Sequence, residues 1–506
     1  MAYINMSSTV LGVIEEVVEG TLLDPAAATD YVKLQDDASL TENRESLENV
    51  ELTGSIGIAK PIPGVSAPAL SFSSYLKHSG TEGVAPDAGV FLKSLFGTEA
   101  VRSTERDTVA ASTVTDLNVD AGEGLEFARG ESLLIKDGVN GYAIRPVESV
   151  ATDALTLGFD LSAAPASGVN LGKSVTYKPA DVGHPTLSAH MYMGNGGLYQ
   201  AVSGTRVIGY DITADAGQLI NGSFSMEGIQ FFNNPIDITA SDIYIDFSED
   251  GPATLAAVVA AKQYSDPEEL ASAIQTAMNA VGAQTYTVVY NSKGTDAGKF
   301  TFTSAGALFS LLWSTGANTA NTIGDKIGFT VSADDDGALT YTSDNVLSWA
   351  SPQTPVYDGA DPIAAKHQEV LFGDDSSDII CINPSSVGVA IADEKAIIGD
   401  ICAQSGQVGS LITGRSSTIT FTAIIPQHCV ENFARFRRGD TCRFLYNFGT
   451  KSDGSNWDAG KCGSIYAPTC TISSLEVVNE DGIARLQAEV VPFVDGGLGE
   501  IYISFV

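Results

Sequence analysis

The residues from Leu47 to Ile62 alternate between apolar and polar side chains over an unusually long stretch. Apolar side chains take every second position, interrupted only by Gly54 and Lys60: Val50, Leu52, Ile56, Ile58 and Ile62. Successive side chains of a strand point to opposite faces, so the pattern predicts one strand with an apolar face and a wet face. Because strands usually have about 5–6 residues, this length favours the wall of a barrel or tube.

Two later stretches resemble this one. Leu219-Ile220-Asn221-Gly222 leads into SFSMEG, and Leu411-Ile412-Thr413-Gly414 leads into RSSTITFTAII. Each enters a strand through a small polar residue and a glycine. The recurrence indicates a module that is used more than once.

The composition favours strands and tight turns over helix bundles. The chain has 506 residues, 51 glycines and 44% hydrophobic residues, enough apolar side chains for real cores. The length predicts about three or four domains. The fold class we expect is mainly β.

The strongly acidic balance limits the partners of the chain. A net charge of −35 argues against binding nucleic acid by neutralising phosphates, which needs clustered Lys and Arg. A wall of like charge would instead repel DNA, which suits a conduit. The other reading of the charge is solubility alone.

The N-terminal residues predict no signal peptide, and no apolar stretch approaches the ~20 residues of a membrane span. We therefore expect a soluble protein that is made in a cytoplasm. All six cysteines lie in the last quarter, and their even number fits thiols or bridges. Buried free thiols are the expectation for a cytoplasmic product.

Changes in the pattern of predicted strands and helices divide the chain into four parts. Residues 1–103 and 181–235 form a first β domain, which residues 104–180 interrupt as an inserted small β-barrel of short strands. Residues 236–360 read as an independent α+β domain, since Ser265-Asp266-Pro267-Glu268 is a capping box and Leu270, Ile274 and Met278 follow at helical spacing. Residues 361–506 return to strands as a last β domain.

No catalytic or ligand-binding motif is present. The five histidines share no ligand spacing, and the nucleophile elbow, phosphate loop and zinc-protease motifs are missing. Asp334-Asp335-Asp336-Gly337 could offer oxygens to calcium, but it lacks the twelve-residue loop of a dedicated site, so a solvated turn is preferred. We expect no enzyme, no cofactor and no metal.

Three segments together resemble a known family. ELTGSIGIAKPIPG, SGTEGVAPDAG and NGSFSMEG look like the major tail tube proteins of long-tailed (siphovirus-type) bacteriophages, and GRSSTITFTAII with ARLQAEVV and EIYISFV looks like a second copy of the tube fold. The helix and strands of 236–360 are similar to accessory domains of phage tail proteins. The resemblance implies a β-barrel or sandwich tube domain in two copies, with outer decorations.

The resemblance also implies a function. It predicts a structural virion protein that assembles in the host cytoplasm into stacked rings, through which double-stranded DNA passes into the host without specific binding. A single tube domain usually makes a hexamer, so two copies per chain favour a trimer with pseudo-sixfold symmetry, with a hexamer as the alternative. Tape-measure and tail-end proteins are the other implied partners. The rival class is a β-rich surface-array or adhesin protein that binds glycans or another protein.

If the chain is a tube subunit, the alternation of side chains along its strands assigns candidate channel-facing residues. The wet, channel-facing side chains are predicted to be Glu51, Thr53, Ser55, Ser223, Ser225, Glu227, Thr418, Thr420 and Thr422. Candidates for contacts between subunits are four arginines within nine positions, facing carboxylates such as those between Asp36 and Glu48: Arg435, Arg437, Arg438 and Arg443. The alternative for the arginines is a solvated helix face.

Overall fold

The computed structural model describes residues 4–51, 59–194, 196–249, 253–357, 359–373, 379–381, 383–403, 405–424, 431–480, 482–494 and 499–506, with backbone only at 379–381, 431 and 432. The chain divides into two compact units. Unit 1 comprises Met1–Gly12, Ala189–Val202 and Phe231–Thr354. Unit 2 comprises Val13–Ser188, Ser203–Gln230 and Pro355–Val506.

Strands dominate the chain, as expected from its composition. The elements up to residue 179 are β1 (Val10–Glu15), β2 (Tyr31–Val32), β3 (Ser39–Thr41), β4 (Arg44–Leu47), β5 (Ile62–Ser66), β6 (Ala69–Tyr75), α1 (Gly89–Phe96), β7 (Gly97–Arg102), β8 (Arg106–Asp107), β9 (Asp116–Asn118), β10 (Ser132–Asp137), β11 (Gly141–Ala151), β12 (Ala154–Leu157), β13 (Asn170–Leu171) and β14 (Ser174–Pro179). Those up to residue 342 are β15 (Leu187–Met193), β16 (Leu198–Asp215), β17 (Asn221–Glu227), β18 (Gln230–Asn233), β19 (Ile236–Ile238), β20 (Tyr244–Glu249), β21 (Thr254–Val258), β22 (Lys262–Tyr264), α2 (Pro267–Val281), β23 (Tyr286–Asn291), β24 (Lys299–Ser304), β25 (Phe309–Leu311), β26 (Asp335–Ala338) and β27 (Thr340–Thr342). The remainder are β28 (Glu369–Gly373), β29 (Ile379–Cys381), β30 (Pro384–Gly399), β31 (Gln407–Ile424), α3 (Glu431–Arg438), β32 (Thr441–Gly449), β33 (Cys462–Glu480), β34 (Ile483–Pro492) and β35 (Tyr502–Phe505). Short 3₁₀ turns occur at Met6–Ser8, Glu123–Glu126, Thr319–Asn321 and Gly324–Ile327.

The prediction of one long strand from Leu47 to Ile62 is wrong. Leu47 and Ile62 are directly paired partners of the antiparallel hairpin β4–β5. A strand rises about 3.3 Å per residue, so a continuous strand would place its ends roughly 50 Å apart instead of side by side. The described residues between them, 48–51 and 59–61, lie outside strands, and residues 52–58 lie outside the described part of the chain.

Eight strands of unit 2 form one continuous antiparallel sheet, which we call the long sheet. Their order is β3-β6-β17-β16-β30-β31-β34-β33. The pairing of β16 with β30 runs over seven residue pairs from Gly209↔Ala392 to Asp215↔Ser386. It joins strands that are about 180 positions apart in sequence into a single surface.

The two halves of the long sheet repeat the same register. In the first hairpin of each half, adding 349 to a residue number gives its counterpart: Leu40 pairs with Leu70, and Val389 pairs with Ile419. In the second hairpin the offset is 265 from β16 to β33 and 264 from β17 to β34, since Val207 pairs with Met226 and Ile472 pairs with Val490. The pairing of β4 with β5 shifts register between Arg44, which pairs with Ser66, and Ser46, which pairs with Pro63. The same shift occurs in β30–β31, where Asp393 pairs with Arg415 and Lys395 pairs with Ile412. The bulge of β16–β17 after Val207 recurs in β33–β34 after Ile472. A helix follows each first hairpin, α1 after β6 and α3 after β31.

A second sheet covers one face of the long sheet. Its order is β7-β14-β35-β33-β32-β28-β29, so the long strand β33 belongs to both sheets. Phe421 of the long sheet contacts Phe372 and Phe444 of the second sheet, with ring centroids 5.8 and 6.3 Å apart. On the other half, Phe91 of α1 lies 5.0 Å from Phe72 and 5.1 Å from Phe224. The core of unit 2 therefore lies on one side of the long sheet.

The insertion between β7 and β14 has a sheet and a core of its own. Its strand order is β8-β13-β10-β11-β12-β9. The core consists of buried apolar residues spaced along these strands: Leu117, Val119, Phe127, Leu133, Ile135, Val147, Leu155, Leu157, Val169 and Leu171.

Unit 1 is built around helix α2, whose predicted apolar residues Leu270, Ile274 and Met278 are all buried. The N-terminal cap lies one position later than predicted. Asp266 accepts a hydrogen bond from the N–H of Glu269, and Glu269 reaches back to the N–H of Ser265 at 2.8 Å. Pro267 is the first helical residue, where its missing N–H costs nothing. None of the sheets β19-β22, β21-β20-β25-β26 and β23-β24-β27 shares a strand with the long sheet.

Within the described residues, no helix has the length and apolar character that a membrane span requires. Cys442, Cys462 and Cys470 are buried free thiols, whereas the free thiol of Cys402 is exposed, contrary to the expectation of burial. The Sγ atoms of Cys442 and Cys470 lie 3.5 Å apart, joined by a hydrogen bond and not by a disulfide. Burial raises the pKa of the Cys470 thiol well above its ordinary value.

Glu249 joins the end of β20 to the turn after α2, and its replacement gives a pH-dependent test of unit 1. Its carboxylate accepts from the N–H of Ala283 at 3.1 Å, the N–H of Gln284 at 2.9 Å and the hydroxyl of Tyr286 at 2.9 Å. Burial opposes ionisation, but these bonds outweigh it and lower the pKa of Glu249. Its contribution is therefore complete above the unfolded pKa of about 4.3 and is lost as pH falls through the folded value.

We predict that Glu249→Gln lowers the free energy of unfolding of unit 1 by about 1–3 kcal/mol at pH 7. The difference from the wild type should shrink below pH ~4 because the carboxylate becomes protonated. Calorimetric unfolding of the full chain across a pH series measures it, with the exposed Asp336→Asn as the matched control. A difference that does not change with pH would contradict the assignment.

Candidate functional site

The face of the long sheet that points away from the core carries small and polar side chains in continuous rows. One row runs Ser71, Ser225, Gly209, Ala392 and Ser416 across five strands, each paired with the next. The adjacent row on this face runs Ser73, Ser223, Asp211, Ala390 and Thr418. Ser73 is buried in this row, where its hydroxyl and N–H donate to the carboxylate of Asp37. We call this surface the wet face. No large apolar side chain occurs in either row.

The opposite face of the same strands is buried. Phe224 is 0% exposed and Met226 is 1% exposed, between the wet residues Ser223, Ser225 and Glu227. Ile419 and Phe421 are likewise buried between Thr418, Thr420 and Thr422. The alternation predicted for these two strands is thus present in the structure.

Charges on the wet face are mostly acidic. Asp211 and Asp215 are exposed on β16, and Glu476 and Glu489 are exposed on β33 and β34. Partial burial raises the pKa of Asp211. Glu227 pairs at 3.2 Å with the almost fully buried Lys395, so its charge is compensated within the chain.

The other three channel-facing candidates lie between β4 and β5 in sequence. Glu51 is exposed and lies outside any strand. Thr53 and Ser55 fall in 52–58, outside the described residues.

Both outer edges of the long sheet are open. Within the described chain, β3 pairs on one side with β6, and β33 beyond Thr471 pairs only with β34. Val477 on this edge is 53% exposed, whereas its counterpart Ile212 is 2% exposed because β30 covers it. The chain therefore leaves a core-facing valine uncovered where the equivalent isoleucine is covered.

The four candidate arginines do not form one group. Arg435 is 2% exposed on α3, whereas Phe436 of the same helix is 41% exposed. Arg443 makes a bidentate salt bridge to Glu148, with N···O distances of 2.7 and 2.9 Å, which joins β32 to β11 inside the chain. Arg437 is exposed, and Arg438 pairs with the nearby Asp440 at 2.6 Å.

His184 and Asp334 serve local structure. His184 bonds the carbonyl oxygens of Ser94 and Ala180, each at 3.0 Å. Asp334 accepts from the backbone N–H groups of Ser314 and Thr315, which ties the residue before β26 to the turn after β25. Among the described residues, no three His, Cys, Asp or Glu side chains group as metal ligands would.

The residues that sequence reasoning missed are those of the β16–β30 junction. Ala390 and Ala392 take part in the wet rows, and the alternation of VGVAIADE in β30 could have indicated them. Which strand β30 pairs with had no local signal, because the partner is about 180 residues away.

Comparison with known proteins identifies the family. Residues 6–264, slightly more than half of the chain, match the family model described as phage tail tube protein. No curated protein matches the sequence. Two solved structures are similar over short parts of the chain. The Hcp1 protein of the E. coli EAEC 042 pathovar is 14% identical over 27% of this chain and 95% of its own, with a TM-score of 0.17. A second Hcp protein is 11% identical over 24% and 84%, also at 0.17. Likeness this low carries no argument about the chain.

The chain belongs to the phage tail tube protein family. It is a structural component of the virion tail, a subunit of the stacked rings that enclose the path of the genome. Membership of a structural family indicates a non-enzymatic role. The family match leaves the surface-array or adhesin alternative without support.

Proposed function

We propose that three chains close into a ring with pseudo-sixfold symmetry, and that the wet face of the long sheet lines its channel. The observation that carries this proposal is the repeated register of the long sheet. One half joins the next through β16 and β30 inside the chain, so the same geometry can join β33 of one chain to β3 of the next. Six sheet modules per ring then require three chains.

The repeat also gives the register of the contact between chains. Ile212 pairs with Val389 at the internal junction. Its counterpart is Val477, and the counterpart of Val389 is Leu40. Leu40 is therefore expected opposite Val477 of the neighbour, where it would cover the exposed valine.

The channel role rests on the chemistry of the wet face. Hydroxyl, small and acidic side chains offer phosphates no cation, and the net charge of −35 repels them. Double-stranded DNA can then pass without adhering. We extend the proposal to the candidates between β4 and β5, Glu51, Thr53 and Ser55.

The remaining parts of the chain take roles around this wall. We propose that the tube modules comprise 1–103 with 181–235 and 361–506, that the insertion 104–180 is a small barrel, and that 236–360 decorates the outside. The separate sheets and the separate core around α2 support the proposal that residues 236–360 are an outer decoration. Assembly in the host cytoplasm and contacts with tape-measure and tail-end proteins belong to the same proposal.

Cysteines at Leu40 and Val477 test ring closure. In a background with Cys402→Ser, oxidation of assembled Leu40→Cys/Val477→Cys protein should link chains up to a trimer and no further, seen on a non-reducing gel. Leu40→Cys with Val478→Cys is the control, because residue 478 points to the other face. A ladder that ends at six chains would support the hexamer, and no link in intact tubes would refute this register.

Lysines on the wet face test its role toward DNA. Tubes of Thr418→Lys/Thr420→Lys/Thr422→Lys should retain double-stranded DNA at low salt and release it as salt rises, because lysines neutralise phosphates. Wild-type tubes and the uncharged Thr→Gln triple variant should retain none. Equal DNA recovery from all three, with tubes intact by microscopy, would show that these positions do not face the channel.

Charge reversal tests the exposed arginines. We propose that Arg437 and Arg438 meet carboxylates of a neighbouring subunit, since both are exposed, whereas Arg435 is buried and Arg443 is mostly covered beside Glu148. Arg437→Glu/Arg438→Glu should slow polymerisation, most strongly at low salt where charges are least screened. The control is Lys293→Glu/Lys326→Glu, which changes the net charge equally in unit 1. Wild-type polymerisation kinetics at every salt concentration would show that the two arginines face only solvent.

A further inference from the structure

Two buried thiols lie in contact between β32 and β33. Cys442 and Cys470 are directly paired residues of these antiparallel strands, and they are 2% and 0% exposed. Their Sγ atoms lie 3.5 Å apart. The Sγ of Cys442 lies 3.3 Å from the carbonyl oxygen of Cys470, and the Sγ of Cys470 lies 3.1 Å from the carbonyl oxygen of Cys442. The two sulfurs therefore face each other in one buried site.

The pairing of the two strands gives these thiols the geometry that a disulfide needs. Directly opposed residues of antiparallel strands have Cα atoms about 4.5–5.5 Å apart, and disulfides span Cα separations of about 4.4–6.8 Å. The bond itself requires a sulfur–sulfur distance of about 2.05 Å, so each sulfur has to move by only about 0.7 Å from its present position. A small rotation about each Cα–Cβ bond supplies that movement while the strands stay paired.

The thiols lie at the point where β33 passes from the second sheet into the long sheet, which we call the fork. The pairing of β32 with β33 ends at Thr441↔Thr471, one residue pair beyond the cysteines. The pairing of β33 with β34 begins at Cys470 itself. A register shift interrupts the pairing of β32 just after Cys442, so only two residue pairs hold β32 to β33 between that shift and the fork. A covalent bond at this place would prevent the fork from opening.

Only the second half of the long sheet carries the thiol pair. Subtracting 265 from Cys470 gives Thr205 of β16, and residues 1–380 contain no cysteine. In the first half, β30 covers the continuation of β16 from Gly209 to Asp215. In the part of the chain that the structure describes, β33 beyond Thr471 has a paired strand on one side only. The half with the open edge is therefore the half with two thiols at the base of that edge.

We propose that Cys442 and Cys470 are a modification site, oxidised to a disulfide within the chain after assembled tails leave the host cytoplasm, and that this bond clamps the fork. The inference rests on the proposed assembly in the cytoplasm, where thiols are kept reduced. Outside the cell an oxidising medium lets the disulfide form and persist. The bond then holds β33 at the base of the edge that is proposed to pair with β3 of the next chain.

The oxidant is a small peroxide, because the sulfurs are too well covered for a bulky disulfide reagent. One thiol gives up its proton and attacks an oxygen of hydrogen peroxide, which forms a sulfenic acid and releases one water. The sulfur of the second thiol displaces the hydroxyl group of the sulfenic acid, which leaves as a second water when it takes up that thiol's proton. Two thiols and one hydrogen peroxide thus give one disulfide and two waters.

Peptide mapping of the full-length protein tests the modification. Tubes are treated with hydrogen peroxide, unfolded in excess iodoacetamide and digested without reduction. Mass spectrometry should find the peptides of Cys442 and Cys470 joined, lighter by two hydrogen atoms than the two thiol peptides together. The exposed Cys402 shows that the oxidant has reacted with the protein. Cys462 is the matched buried control, with its Sγ 3.3 Å from the carbonyl oxygen of Val506, and it should be recovered alkylated.

Thermal melting of the tubes tests the clamp. Oxidised wild-type tubes should melt roughly 5 °C above reduced tubes, because the bond closes a loop between cysteines 28 positions apart. Cys470→Ala tubes should lose this difference, and Cys462→Ala tubes should keep it. If Cys470→Ala does not assemble, Cys442→Ala provides the same comparison. Equal melting of oxidised and reduced wild-type tubes, with the bond present by mapping, would overturn the clamp.

The outcomes separate this inference from the proposed ring. If Cys442 and Cys470 are recovered alkylated from a sample whose Cys402 is oxidised, or if either is joined to a different cysteine, the inference is overturned. The Leu40–Val477 link can still form in that case, because it does not use these thiols. Failure of the Leu40–Val477 link would instead count against the ring, while the bond within the chain can still be mapped.

Discussion

The wall of this tail tube protein depends on one set of backbone hydrogen bonds, the junction between β16 and β30. Seven residue pairs connect strands far apart in sequence, and so merge two four-stranded arrays into one surface. Backbone pairing fixes register because a slip by one residue would turn every core side chain toward water. The wet rows and the buried aromatic residues both follow from that register.

The small side chains of the wet face explain how a sheet can serve as a wall without becoming a binding site. Serine, alanine, glycine and threonine in paired rows present few groups that could bind a passing DNA molecule. Exposed carboxylates repel phosphate, while the cation of Lys395 is buried against Glu227. Most of the apolar side chains that stabilise the sheet lie on the other face, where Phe72, Phe91 and Phe224 meet.

Local patterns predicted the local structure, and failed where distant pairing decided the outcome. Alternation gave the faces of residues 418–422, and the capping signal gave helix α2 to within one residue at its start. The stretch from Leu47 to Ile62 misled because alternation does not show where a strand ends: among the described residues of this stretch, only Leu47 and Ile62 lie in strands, and they pair with each other. Arg435 was predicted to contact a neighbouring subunit or solvent, yet its side chain is buried within the chain. The match to a tail tube family agrees with the resemblance seen in the strand segments.

An electron cryo-microscopy reconstruction of the assembled tube tests the central claim most directly. It should show rings of three chains, with one uninterrupted sheet that crosses each chain boundary from β33 to β3. The side chains of Ser225, Asp211 and Thr418 should face the bore, with residues 236–360 outside the wall. Six chains per ring, or a wall whose wet face points outward, would contradict the account.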